Sequence, residues 1–284
     1  YPMITKTIPH FNIAQIGQSG QCFRMSPINP QSNDSSSHYQ VIAQNHYLEV
    51  KQDLKSCTFF CDEEEFETFW KNYFHLDQDY NAYICQIDQD DLYLIQAAKT
   101  GSGIRILRQD LWEMIVSFLI SQQNNIVRIR RCIENLCSHY GPLLSSPSGV
   151  SYYGFPEPKT LAALEDDDLM ACNLGYRSKY VIRTAKSIAN GTVSLNALST
   201  FPYEKARLEL LKLYGVGEKV ADCICLFALG HLQAFPVDTH IRQVLTRSYP
   251  QGFPERYKAI QGVLQQYIFY YELHGGKECP ACTK

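Results

Sequence analysis

The residues best suited to chemistry lie between positions 210 and 240. Leu210-Leu211-Lys212-Leu213-Tyr214-Gly215-Val216-Gly217-Glu218-Lys219-Val220-Ala221-Asp222 reads as a helix, a glycine hairpin and a second helix. Two glycines around one apolar residue let the chain reverse tightly and expose consecutive backbone amides. The amides of Gly215, Gly217 and Val220, at the head of the second helix, suit a phosphate without any large positive charge. Lys219 follows the second glycine by two residues, where the positive helix end disfavours a cation. Asp238 comes nineteen residues further on, within Pro236-Val237-Asp238-Thr239-His240, and is placed to start a helix. A lysine and an aspartate brought together by these helices supply a nucleophile and its electrostatic partner. A plain helical turn and a plain N-cap fit the same residues, so both readings stand at this point.

These side chains need elements to position them. Between Phe11 and Phe60, short apolar stretches alternate with polar turns. Tyr39-Gln40-Val41-Ile42-Ala43 and Tyr47-Leu48-Glu49-Val50-Lys51 read as strands of a twisted antiparallel sheet. Gly17 to Gly20 reads as a turn, and 29–37 as a polar loop. Asp62-Glu63-Glu64-Glu65 starts a helix with acid in its first turn, running to about His75. From about Gly101 the period becomes helical. Leu111 to Ile120 reads as a buried helix. Ile126, Ile129, Ile133 and Leu136 mark the apolar face of the next one. Further helices follow Arg177, ending near Gly191, then cover Glu204 to Leu213, Lys219 to Leu229, and Tyr257 to Leu273. The change of period, with Thr100-Gly101-Ser102-Gly103, puts a boundary near residue 100, giving parts 1–100 and 101–284.

Composition bounds the function. The chain has 284 residues, 45% of them hydrophobic and 19% charged, so it can bury a core and is not disordered. A net charge of −3 argues against coating nucleic acid non-specifically, though not against a local basic face. Tyr1-Pro2-Met3 has neither a basic nor an apolar leader region, so a secreted product is not expected. The eleven scattered cysteines are expected to be mostly buried, reduced thiols of a cytosolic or nuclear protein. The longest apolar run contains Glu113 and is too short to span a bilayer.

The stretch from Gly215 to Asp238 resembles the helix-hairpin-helix, Gly/Pro-Asp superfamily of DNA glycosylases. Within it, the chain resembles the 8-oxoguanine DNA glycosylase/AP lyase family. The likeness extends, in the same order, over Ser19 to Arg24, Gly103 to Asp110, Asn124 to Ile129, Tyr153 to Pro156, Leu174 to Arg177, Gly215 to Leu226 and Pro236 to His240. It implies an α+β fold, in which an N-terminal twisted antiparallel sheet domain packs on an all-α helix-hairpin-helix glycosylase domain. It also implies a base-excision enzyme that flips 8-oxoguanine out of duplex DNA, preferably opposite cytosine, and then nicks the strand.

The same resemblance assigns roles. Lys219 is the implied nucleophile and forms a Schiff base at the sugar. Attack needs a neutral amine, which desolvation favours and a nearby carboxylate opposes. Asp238 is therefore assigned mainly to the cationic, sugar-like transition state. Gly20 matches the residue whose carbonyl accepts the N7 hydrogen of the oxidised base. Cys223 and Phe269 match the pair that sandwiches the base, and Gln265 the reader of its Watson–Crick edge. Phe269 and Gln265 are four residues apart and share one helix face. Tyr176, Arg177 and Arg128 match the wedge and the readers of the opposite base, and His240 a phosphate contact. For each there is a structural alternative: a turn glycine, a core thiol or phenyl, a solvated helix face.

One departure stands out. The family places three asparagines before the isoleucine that Ile126 matches, whereas this chain has Gln123 and then Asn124-Asn125. The first of the three fills the gap left by the flipped base, so strict preference for cytosine is in question. No cofactor or metal is expected. His274, Cys279 and Cys282 lack a fourth zinc ligand, and two cysteines do not hold an iron–sulfur cluster. The expected partner is double-stranded DNA bound by a monomer, in the cytoplasm (nucleoid) of a bacterium or the nucleus of a eukaryote. The alternatives are a glycosylase for other damaged bases and a non-catalytic DNA-binding protein built on the same hairpin.

Overall fold

The computed structural model describes residues 1–30 and 36–275. The N-terminal part is an antiparallel sheet of five strands, β1 (Ile4–Lys6), β2 (Met25–Pro27), β3 (Ser37–Ala43), β4 (His46–Gln52) and β5 (Cys57–Phe59). They pair in the order β1-β5-β4-β3-β2. Tyr39, Val41 and Ala43 pair with Val50, Leu48 and His46. The period-two alternation therefore points one set of side chains into the core. A short helix, α1 (Ile13–Gly17), precedes the sheet's centre and is capped by Asn12. Helix α2 starts at Asp62, whose carboxylate accepts from the Glu65 amide, as the acidic first turn predicts. It runs through Glu63–Glu65, a π turn at Phe66–Trp70 and Lys71–Tyr73. It stops where His75 takes φ 55°.

The remainder is mainly helical. It comprises α3 (Leu92–Thr100), α4 (Leu111–Ser121), α5 (Ile126–Tyr140), α6 (Arg177–Ala189) and α7 (Tyr203–Leu211). After the hairpin come α8 (Glu218–Phe227), α9 (Thr239–Ser248) and α10 (Gln261–His274). Shorter helical turns connect them. This part also contains strands: Leu143–Ser145 pairs with Ser151–Tyr153 in a hairpin, too short for its period to register in the sequence. Helix α4 is buried over nearly its whole length and forms the axis of the larger core.

Two apolar cores follow the chain, but they do not divide at residue 100. The smaller is built from 11–74 together with Leu107. Leu94, Ala97 and Ala98 of α3 belong to the larger one, where α3 packs against α10. The extended segment between α3 and α4 is the seam. Its buried Arg105 donates to the carbonyls of Pro9, His10, His75 and Gln78. Satisfying four carbonyls with one guanidinium offsets the cost of burying that charge. Arg24 crosses the same seam to the Tyr153 carbonyl and Glu134. Among the described residues, no helix is long and apolar enough to cross a membrane. The described cysteines are free and buried, except the exposed Cys85. Cys279 and Cys282 lie outside the described residues.

Candidate active site

Three chain segments meet helices α4 and α10 at one cavity, and each of the three is held by identifiable bonds. The first is the turn Ser19-Gly20-Gln21. Gln21 sits at its base, its side-chain amide donating to the Arg105 carbonyl at 2.8 Å and accepting from the Leu107 amide at 2.9 Å. The Gln109 side chain donates to the Gln21 carbonyl at 2.7 Å, and the Gln109 amide donates to the Phe227 carbonyl of α8 at 3.1 Å. The seam thus fixes the Gly20 turn relative to the helix that carries Lys219. Gly20 itself has φ 77°, a conformation that costs a side-chain-bearing residue about 1 kcal/mol or more.

The second segment is the hairpin. Gly215 has φ 87°. Gly217 is the N-cap of α8 and offers no side chain to cap it. The amides of the first helical turn are therefore left for an external acceptor. Lys219 projects from that turn, half-buried, with Nζ 5.9 Å from the centre of the Phe118 ring. The third segment is Pro236 to Asp238. The Asp238 carboxylate accepts from the Ile241 amide at 2.8 Å, so it caps α9 as the sequence predicts. Gln265 of α10 steadies this segment by donating to the Pro236 carbonyl at 2.9 Å.

Together these segments bring Lys219, Asp238, Gly20, Cys223, Gln265 and Phe269 to the wall of one cavity of about 60 Å³. Lys219 and Asp238 face the same space without forming an ion pair. Gln265 keeps one N–H and one lone pair uncommitted, since it donates once, to Pro236, and accepts once, from Gln266. The cavity opens into a groove of about 620 Å³ lined by Asn124, Asn125, Ile126, Arg130, His240 and His274, among others. His240 is exposed and sets its ring edge-on to Phe269, centroids 6.2 Å apart.

Phe118, Ser19, Pro236 and Gln266 also line the cavity. None of these four is marked as a site residue by the sequence motifs. Phe118 lies in a helix apolar on every side, where periodicity cannot show which face meets a cavity. The Gln265-Gln266 pair in an otherwise apolar helix was a signal, because buried amides demand partners.

The other expected residues lie elsewhere. Tyr176 is half-exposed beside a shallow depression with Asp166, Asp167 and Lys179. Arg177 is only 3% exposed, and its guanidinium donates to the carbonyls of Gln122, Gln123 and Leu174. To read a base directly it would have to release one of these. Arg128 donates weakly to the Asn173 carbonyl at 3.4 Å. Gln123 is exposed with φ 45°. Among the described residues there is no cluster of three or more His, Cys, Asp or Glu side chains arranged for a metal ion.

The cavity is narrow, with about 60 Å³ of free space. Phe269 sets the limit: a Cβ built on Gly20 would lie 2.9 Å from its Cε1. The ring stands close over Gly20 and narrows the cavity there. Gly20→Ala adds both backbone strain and a methyl group at this contact. It is expected to slow release of a cavity-bound base roughly five- to thirtyfold, the equivalent of about 1–2 kcal/mol of strain. Affinity for a duplex carrying an abasic-site analogue should stay near wild type, because no base then enters. Single-turnover rates and fluorescence anisotropy check both halves.

A five-stranded sheet seamed to a helical bundle, with an uncapped glycine hairpin ahead of a lysine and an aspartate across the same cavity, defines a helix-hairpin-helix protein of the base-excision type. The sequence profile for the 8-oxoguanine DNA glycosylase N-terminal domain matches residues 3–115. That for the HhH-GPD superfamily of base excision DNA repair proteins matches 116–266. The chain belongs to the 8-oxoguanine DNA glycosylase family. A Saccharomyces cerevisiae N-glycosylase/DNA lyase is 38% identical over 164 residues, 54% of this chain; the chain spans 44% of that relative's length. The apo-form 8-oxoguanine glycosylase/lyase of Clostridium acetobutylicum superposes with a TM-score of 0.86 at 32% identity, covering 95% of this chain and 96% of that one. The same bacterial enzyme in complex with duplex DNA containing cytosine opposite 8-oxoguanine gives 0.86 at 31% identity, covering 97% and 99%.

Proposed function

We propose that this chain excises 8-oxoguanine from duplex DNA, preferentially opposite cytosine, and then cleaves the abasic strand by β-elimination. The observation that carries this reading is the convergence of Lys219, Asp238, Gly20, Cys223, Gln265 and Phe269 on one cavity beside a groove. The phosphate backbone of the damaged strand lies against the uncapped start of α8 and His240. Flipping costs roughly a few kcal/mol in lost stacking and pairing, offset by burial between Cys223 and Phe269. Gly20 supplies discrimination. Its carbonyl accepts no hydrogen bond from the described residues, leaving a lone pair for the N7–H of 8-oxoguanine and repelling the N7 lone pair of guanine. The free N–H and lone pair of Gln265 read the Watson–Crick edge.

Chemistry follows from placement. The neutral Lys219 amine attacks C1′ as the glycosidic bond breaks; the bonding electrons leave with the base, which takes up the proton that the amine sheds. Asp238 stabilises the positive charge that develops on the sugar. Opening of the sugar ring leaves an iminium to Lys219. Loss of a proton from C2′ then expels the 3′ phosphate, and water releases the enzyme. No step calls on a cofactor. The protein acts as a monomer wherever chromosomal DNA is held, the nucleoid of a bacterium or the nucleus of a eukaryote.

A set of duplexes tests this reading. Release should be fastest from 8-oxoguanine opposite cytosine and undetectable from undamaged guanine. Preferential release of alkylated purines or oxidised pyrimidines would replace it with a glycosylase of other substrates. Tight binding with no release would leave a non-catalytic DNA-binding protein.

A further inference from the structure

Gln122 precedes the turn that carries Gln123, and its two polar ends point to different parts of the molecule. Its side-chain Nε2 donates to the Gly215 carbonyl of the hairpin at 2.7 Å. Its backbone carbonyl accepts from Arg177 Nε at 2.8 Å and also from Nη2. Arg177 Nη2 reaches on to the Gln123 carbonyl at 2.9 Å. A second contact runs in parallel. The Tyr180 ring lies against the Gly215 Cα: a Cβ there would sit 2.4 Å from Cγ and 2.7 Å from both Cδ1 and Cδ2. Tyr176 packs edge-on against Tyr180, centroids 5.7 Å apart.

We infer that Gln122 and Tyr180 are positioning residues that couple the groups facing the opposite base to the hairpin that holds the lesion strand. The inference rests on the proposed 8-oxoguanine activity. Gly215 is gripped from two sides, by the Gln122 amide and by the Tyr180 ring. Each grip is continuous with a residue assigned to the opposite strand: Arg177 and Gln123 through the Gln122 backbone, Tyr176 through Tyr180. A mismatched opposite base that shifts the 122–123 turn or the Tyr176 ring therefore shifts Gly215. Lys219 lies four residues beyond Gly215, on the first turn of the helix that the hairpin starts. The opposite base thus reaches the nucleophile through two contacts that themselves touch neither base.

The test is single-turnover excision of 8-oxoguanine opposite cytosine and opposite adenine by the full chain. Gln122→Met keeps the side-chain volume and removes the donor. It should lower the cytosine-to-adenine rate ratio about five- to tenfold, the effect of one lost hydrogen bond to the hairpin, with the loss falling on the cytosine duplex. Tyr180→Leu should lower the ratio likewise. Tyr180→Phe should keep the wild-type ratio, because the hydroxyl makes no hydrogen bond among the described residues. Equal losses on both duplexes, or an unchanged ratio in Gln122→Met and Tyr180→Leu, overturn the coupling while leaving the base-excision reading intact. If Gln122→Met does not fold, the contrast between Tyr180→Leu and Tyr180→Phe decides alone. A wild-type enzyme that excises equally opposite both bases also overturns the coupling. One that excises neither overturns the proposed activity and the coupling with it.

Discussion

Lys219→Gln is expected to bind a lesion duplex within about twofold of wild type and to lose base release by roughly 10³-fold or more, the scale on which removing a covalent nucleophile acts. That is about 4 kcal/mol of barrier. The structure gives the reasons for separating binding from chemistry. Lys219 makes no ion pair or hydrogen bond among the described residues, so the fold does not depend on its charge. The backbone amides proposed to hold a phosphate belong to the same helical turn and survive the substitution. Glutamine keeps the stem against Phe118 and removes only the nucleophile. Strand cleavage at a preformed abasic site should fall by a similar factor, since both steps need the same amine. Anisotropy and single-turnover gels read the two properties separately. A variant that still releases the base within tenfold of wild type would leave excision to an activated water and strip Lys219 of its role.

Asp238→Asn carries the second large effect. Asparagine caps helices as well as aspartate, so the bond to the Ile241 amide and the start of α9 should persist, with the melting temperature nearly unchanged. What disappears is the negative charge facing the cavity shared with Lys219. Base release should fall roughly 10²- to 10³-fold, the scale of losing one preorganised electrostatic partner. Asp238→Ala should be worse on both counts, losing a further ~1 kcal/mol of stability with the cap. Near-wild-type release by Asp238→Asn, with the fold intact by circular dichroism, would reduce Asp238 to its capping role.

The site was legible mainly where local chemistry fixes local geometry. Asp238 and Asp62 read as N-caps because a short carboxylate ahead of an apolar run has one favourable use, and both accept from the expected amide. The hairpin read from two glycines, one of which adopts φ 87°. The alternating strand at residues 47–51 read correctly because one face is buried. Features set by tertiary partners were hidden. Helix α1 has five residues, too few to show a period. Helix α3 follows a sheet in sequence yet packs in the helical core, which a change of period near residue 100 cannot reveal. In the sequence Arg177 reads as a reader of the opposite base or as part of a solvated helix face, but its guanidinium is buried and engaged by three carbonyls brought from two segments. Phe118 looked like core and forms a cavity wall. The resemblance placed Gly20, Gln265 and Phe269 together although residues 20 and 265 are far apart in the chain; spacing alone offered no route to that.

The most direct measurement is a borohydride trap. The protein is mixed with a duplex holding one 8-oxoguanine opposite cytosine, borohydride is added, and the products are separated on a denaturing gel, with Lys219→Gln alongside. The predicted result is a covalent protein–DNA band for the wild type alone, dependent on the lesion. No band from a wild-type protein that still binds the duplex tightly, or an equal band from Lys219→Gln, would contradict the Schiff-base chemistry assigned to this cavity.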